Sequence, residues 1–150
     1  MTEQTDRNLP QNPTQAQGLL IKEMYKQFGN EALPVIEDVC GRQGQALGAK
    51  IRKKVSDNRL STVAEAFAKS FDPSGTEVIS VSDERFQIKG TSCPFGLENT
   101  SRELCEAVMA IDLEYFRAAV SDRIELEITQ TVAEGRNCCD TIYTLEKKAE

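Results

Sequence analysis

The chain has 150 residues, 39% apolar and 28% charged, enough for one domain with a core of its own. Its formal net charge of −6 argues against a general nucleic-acid footprint and against adsorption to anionic membranes, and its apolar runs are too short to span a bilayer. Histidine is absent, which excludes Ser-His and Cys-His catalysis and imidazole metal ligands and leaves acid–base work to carboxylates, thiols, Lys, Tyr or water.

Residues 1–13 are polar, contain Pro10 and Pro13, and predict a flexible tail without the apolar stretch of a secretory signal. A cytoplasmic protein is expected, with residues 14–150 forming a single domain. Thr14 is placed to cap a helix running to about Phe28, and Gly29 to end it. Leu19, Leu20, Tyr25 and Phe28 fall on more than one side of that helix, so a homodimer through helical surface is expected. Asn30 then caps a second helix, with Pro34 in its first turn and a stripe of Ile36, Val39, Cys40, Leu47, Ile51 and Val55. Gly41, Gly44 and Gly48 interrupt the stripe. Each costs about 1 kcal/mol of helix stability, so they predict a close packing contact. The run KIRKK suits the helix C-terminal dipole better than a phosphate site. Ser61 caps a third helix with Val63, Ala64, Phe67 and Phe71, stopped by DPSG.

The period changes after residue 75. TEVISVS and RFQIKGT read as a hairpin turning at Asp83-Glu84. Thr100 and Glu103 form a capping-box pair opening a helix with the stripe Leu104, Val108, Ile111 and Tyr115. RIELEITQTV alternates, with Ile124, Leu126, Ile128 and Val132 on one face. EGRN turns the chain into a returning strand, CDTIYTLE. The fold class is therefore α+β: N-terminal helices, then a four-stranded antiparallel sheet with an intervening helix, the helices packed on one sheet face.

The polar face of the third strand carries Glu125, Glu127, Thr129 and Thr131. It reads as a solvated face, or as part of a pocket or subunit contact in which two carboxylates act as base and orienter. The five cysteines are an odd number in a chain without a secretory signal, so a disulfide framework is not expected. Cys40 lies on a helix stripe as a small core residue. Cys93 leaves a strand before a proline, and Cys105 lies a turn inside a helix. Their spacing fits no common zinc finger. Adjacent Cys138 and Cys139 point to opposite faces of a strand, so one of them can join Cys93 and Cys105.

CPF at Cys93 to Phe95, LC at Leu104-Cys105 and TQTVAEGRNCCD from Thr129 to Asp140 resemble a superfamily of L-2-amino-thiazoline-4-carboxylic acid hydrolase-like proteins and 4-vinyl reductase-type small-molecule-binding domains. KQFGNEALPVIEDVCGRQGQALGAKI resembles its N-terminal half. Cys139 and Asp140 match the family's Cys-Asp. Thr141 stands for the usual aromatic, Cys138 is extra, and Thr131 stands where related zinc sites carry sulfur. The resemblance implies a cavity between helices and sheet for a small organic molecule, and frequent dimerisation. One expected activity is hydrolysis of a small cyclic amidine or thiazoline acid; in that case Cys93 is the candidate nucleophile and Asp140 or Glu127 the carboxylate that manages protons. The alternative is a ligand sensor or a cysteine-based metal module, zinc or iron–sulfur. Cys93, Cys105 and Cys139 are expected to converge as a thiol cluster, favoured slightly over a metal site. No nucleic-acid or membrane partner is expected.

Overall fold

The computed structural model describes residues 9–146, so the first eight residues of the expected tail lie outside the described residues. Helix α1 (Pro13–Phe28) opens at Pro13, earlier than a Thr14 cap implies. Asn12, not Thr14, is the cap, accepting the Gln15 amide at 2.8 Å. A proline in the first turn has no N–H to satisfy and a preset φ, which moves the start forward. Gly29 ends α1 at φ 63, a left-handed value that a side chain would strain.

A 3₁₀ turn over Gly29–Ala32 leads into α2 (Leu33–Lys54). Asn30 lies inside that turn and does not cap α2; Pro34 supplies the start instead. Arg52, Lys53 and Lys54 close α2 as the dipole argument requires. Helix α3 is Leu60–Ala68. Ser61 is already helical, and its hydroxyl donates to Asp83 in the following hairpin rather than capping. Arg59 pairs with the same carboxylate at 2.7 Å, so the turn between strands holds the helix start.

Strands β1 (Thr76–Val81) and β2 (Arg85–Gly90) form the expected hairpin. The single helix expected next is two, α4 (Arg102–Val108) and α5 (Ala110–Ala119), because the backbone opens at Met109, ψ −4. Ser101, extended at φ −160, is the cap of α4 and accepts the Leu104 amide at 3.1 Å. The hydroxyl of Thr100 is spent on the Leu97 carbonyl at 2.6 Å. Strands β3 (Ile124–Gln130) and β4 (Cys139–Leu145) complete an antiparallel sheet in the order β1-β2-β4-β3. Between them Thr131 and Glu134 form a capping box around a 3₁₀ turn.

The helices cover one face of the sheet. Phe86, Ile88 and Tyr143 point inward, while Glu125, Glu127 and Thr129 stay exposed on the other face. Thr131 departs from its expected polar face and is buried. The core has two parts. Phe67, Phe86, Phe116 and Tyr143 anchor one between α3, α5 and the sheet; Ile36, Leu97, Leu104 and Val108 anchor the other beneath α1 and α2. Helix α2 packs chiefly on α5, and the glycines decide how closely. A Cβ on Gly44 would stand 2.1 Å from the Ile111 carbonyl oxygen, and one on Gly48 would stand 2.4 Å from that of Tyr115. No described helix is long and apolar enough to cross a membrane.

Replacing Gly44 therefore forces two backbones apart. Gly44→Ala is expected to destabilise by about 1–3 kcal/mol despite its better helix propensity. Gly41→Ala, whose Cβ would meet only the Glu114 side chain at 3.5 Å, should be neutral or stabilising by up to about 1 kcal/mol. Urea unfolding of both variants checks the contrast, and equal midpoints would contradict it.

Candidate functional site

A cavity of about 390 Å³ lies where the two cores meet. Phe67 and Phe71 come from α3 and its end, Ile88 from β2, Val108 and Ile111 from α4 and α5, and Ile128 from β3. The 3₁₀ turn and the loop before α4 shape one wall. Phe95 backs onto α1, where a Cβ on Gly18 would meet the Phe95 carbonyl oxygen at 1.8 Å. Arg102 donates to the Ile128 carbonyl and pairs with Glu134 at 3.1 Å, which holds the start of α4 against the β3 end.

Cys93, Cys105 and Cys139 all line this cavity, and Cys40 and Cys138 do not. Thr131 mediates between two of them. Its hydroxyl lies 3.2 Å from the Cys105 Sγ and 3.6 Å from the Cys139 Sγ, and it accepts the Ala133 amide at 3.2 Å. Burial pushes the Cys105 thiol up to about 11, and it pushes the Cys93 thiol up as well. Low dielectric disfavours the thiolate. Burial outweighs the Thr131 hydrogen bond, which acts in the opposite direction on Cys105. Among the described residues no three Cys, Asp or Glu side chains form a group that could hold a metal ion.

The carboxylates anticipated from the sequence stand apart from these thiols. Strand alternation places Glu127 on the outer sheet face, where it is exposed. Asp140 shares that face and accepts from the Gln87 amide at 2.9 Å. Cys93 is inside and they are outside, so the sheet separates the anticipated nucleophile from both anticipated bases.

The carboxylate inside the cavity is Asp112 on α5, which accepts from the Tyr143 hydroxyl at 2.8 Å. Asp112 is half-buried, and it lines a mostly apolar cavity. Burial raises its carboxyl from 3.8 to about 6, partly offset by the Tyr143 hydrogen bond. Burial and the Asp112 charge push Tyr143 well above its ordinary value and Tyr115 to about 12. The sequence carried a signal for Asp112: it sits four residues after Val108 and four before Phe116, on the apolar stripe itself. A charge at a core-facing position is the feature to look for. Tyr143 was legible as inward-facing by alternation, but not as the partner of Asp112.

An apolar enclosure with a few convergent polar groups, set between helices and an antiparallel sheet, defines a small-molecule-binding α+β domain. The chain belongs to the L-2-amino-thiazoline-4-carboxylic acid hydrolase family, which residues 11–143 match. The phenol-responsive sensory domain of the transcription activator PoxR is similar in structure, with a TM-score of 0.64 at 16% identity over 93% of this chain and 77% of that one. Trafficking protein particle complex subunit 3 from Naegleria fowleri is also similar, with a TM-score of 0.60 at 16% identity over 91% of this chain and 95% of that one. No curated protein matches the chain significantly.

Asp112 makes stability depend on pH. The folded carboxyl titrates at about 6 and the unfolded one at 3.8, so between these values the folded state binds the proton more tightly. Stability therefore falls as pH rises through that window, and the full penalty of about 3 kcal/mol is present above it. Asp112→Asn keeps an acceptor for Tyr143 and removes the charge. Relative to this variant, the wild type should lose roughly 2–3 kcal/mol between pH 4 and pH 7 in urea unfolding. A difference that does not change with pH would refute the assignment.

Proposed function

We propose that this protein binds a compact organic molecule in the cavity between helices and sheet, and that the molecule is a small cyclic amidine or thiazoline acid which it hydrolyses. The observation that carries the binding is the cavity of about 390 Å³, walled by apolar side chains and holding one carboxylate–phenol pair. The family supports the reaction class. In such a hydrolysis water adds to the ring carbon of the C=N unit, and a C–N bond of that carbon then breaks. The water proton passes to a base and from there to the departing nitrogen.

Asp112 suits the base better than Glu127 or Asp140, because it lines the cavity and is ionised above about pH 6. Cys93 as nucleophile would need a thiolate that its burial disfavours, so water activated by Asp112 is the better-supported attack. A second reading is a ligand sensor without turnover. It is favoured by the neutral thiols and by the structural neighbour, a sensory domain seen with phenol.

Purified protein mixed with L-2-amino-thiazoline-4-carboxylic acid separates these readings. Calorimetric binding together with a product heavier by one water supports the hydrolase, and Asp112→Asn should then lower kcat by about 100-fold or more. Binding without product supports the sensor. No heat and no product at millimolar ligand would overturn the assigned ligand class.

The expected homodimer remains part of this proposal. Leu20 and Phe28 on α1 and Val35 and Val39 on α2 are exposed, which supports pairing with a second copy through this helical surface. Sedimentation at tens of micromolar, by order of magnitude, should show a dimer that Phe28→Glu converts to monomer. A wild-type monomer under those conditions would refute the pairing.

A further inference from the structure

Asp112 Oδ2 is occupied by the Tyr143 hydroxyl, but Oδ1 has no hydrogen bond among the described residues and keeps accessible surface in the cavity. Asp112 also has no cation within ion-pairing distance among the described residues. Lys89 is the one Lys or Arg among the lining residues, and strand alternation sends its side chain to the outer sheet face beside Asp140. An apolar enclosure thus holds one carboxylate with a vacant acceptor and no countercharge inside. The rings of Phe67, Phe71 and Tyr143 line the same enclosure and offer π surface, which attracts positive charge.

We propose that the cavity selects ligands by charge, taking a small organic cation with N–H donors, an amidinium or protonated amine, whose proton bonds Asp112 Oδ1. The inference rests on the binding reading above, but not on turnover. It follows from what is left unpaired: a neutral isostere cannot compensate the carboxylate, and a ligand with negative charge and no cationic group would be repelled by it, whereas an amino-thiazoline acid presents its amidinium. The other titratable groups around Asp112 do not supply the missing charge. Tyr143 on β4 and Tyr115 on α5 stay protonated and neutral, as do Cys105 on α4 and Cys93 in the preceding loop, all of them with raised values. Cys139 on β4 is a thiol and so offers no positive charge in either form. From α2, Gln43 contributes only a neutral amide.

Benzamidine, benzamide and benzoate share one shape and carry positive, zero and negative charge. At pH 7.5 benzamidine should bind at least about 10-fold more tightly than benzamide, and benzoate should bind more weakly than both. The advantage of benzamidine should shrink as pH falls through about 6, because benzamidine itself stays charged and only the carboxyl titrates. Asp112→Asn should lose the preference for benzamidine over benzamide. If that variant does not fold, the wild-type pH profile of the benzamidine-to-benzamide ratio decides alone. Equal binding of benzamidine and benzamide at pH 7.5 would overturn charge selection and leave the cavity reading standing. No binding of any of the three would overturn both.

Discussion

The contact on which the structure depends is backbone against backbone, α2 on α5. At Gly44 and Gly48 the chain has no side chain, and the carbonyls of Ile111 and Tyr115 lie where a Cβ would be. This closeness presses α5 into the sheet, so that Phe116 is fully buried and Asp112, next to Ile111, is held under the helical layer. Two interior glycines cost about 2 kcal/mol of helix propensity. The packing they allow offsets that cost, and it seats a carboxylate where solvent cannot reach it freely.

The cavity follows from the meeting of two cores that do not merge. The aromatic core around Phe67 ends at Tyr143, and the aliphatic core under α1 and α2 ends at Leu97, Cys105 and Ile128. Between them the polar groups are paired with one another rather than with water: Tyr143 with Asp112, and Thr131 with Cys105 and Cys139. Burial keeps the Cys105 thiol and the Tyr143 phenol protonated, against the pull of the Thr131 hydrogen bond on Cys105, while it lifts the Asp112 carboxyl towards neutral pH. The chemistry available is therefore that of one carboxylate in an apolar room, not that of a thiolate cluster.

Thr131 shows how one residue can join a turn to two cysteines. Its hydroxyl caps the 3₁₀ turn through the Ala133 amide and bridges two sulfurs at once. A thiol in its place would be a larger atom and a weaker hydrogen-bond acceptor. The turn and the positions of the two sulfurs are thus linked through one side chain.

The order of helices and strands, the hairpin at Asp83-Glu84 and the alternation of β3 and β4 were legible because period and turn chemistry act locally. The tight contact at Gly44 and Gly48 was legible too, since glycines inside a helix have no local reason to be there; Gly41, expected in the same contact, meets only side chains at ordinary distance. The caps expected at Thr14, Asn30, Ser61 and Thr100 fall instead at Asn12, Ala32, Arg59 and Ser101; Asp83, distant in sequence, takes the Ser61 hydroxyl, and the nearby Leu97 carbonyl takes that of Thr100. Cys93, Cys105 and Cys139 could be grouped from their places at strand and helix ends. No sequence pattern could show that Glu127 and Asp140 face away from them, because that depends on which sheet face the helices cover. Pattern and turn residues determined the elements of this protein. Which carboxylate is enclosed, and what it touches, was decided only when α2 closed on α5 and brought Asp112 against Tyr143, residues 31 apart in the chain.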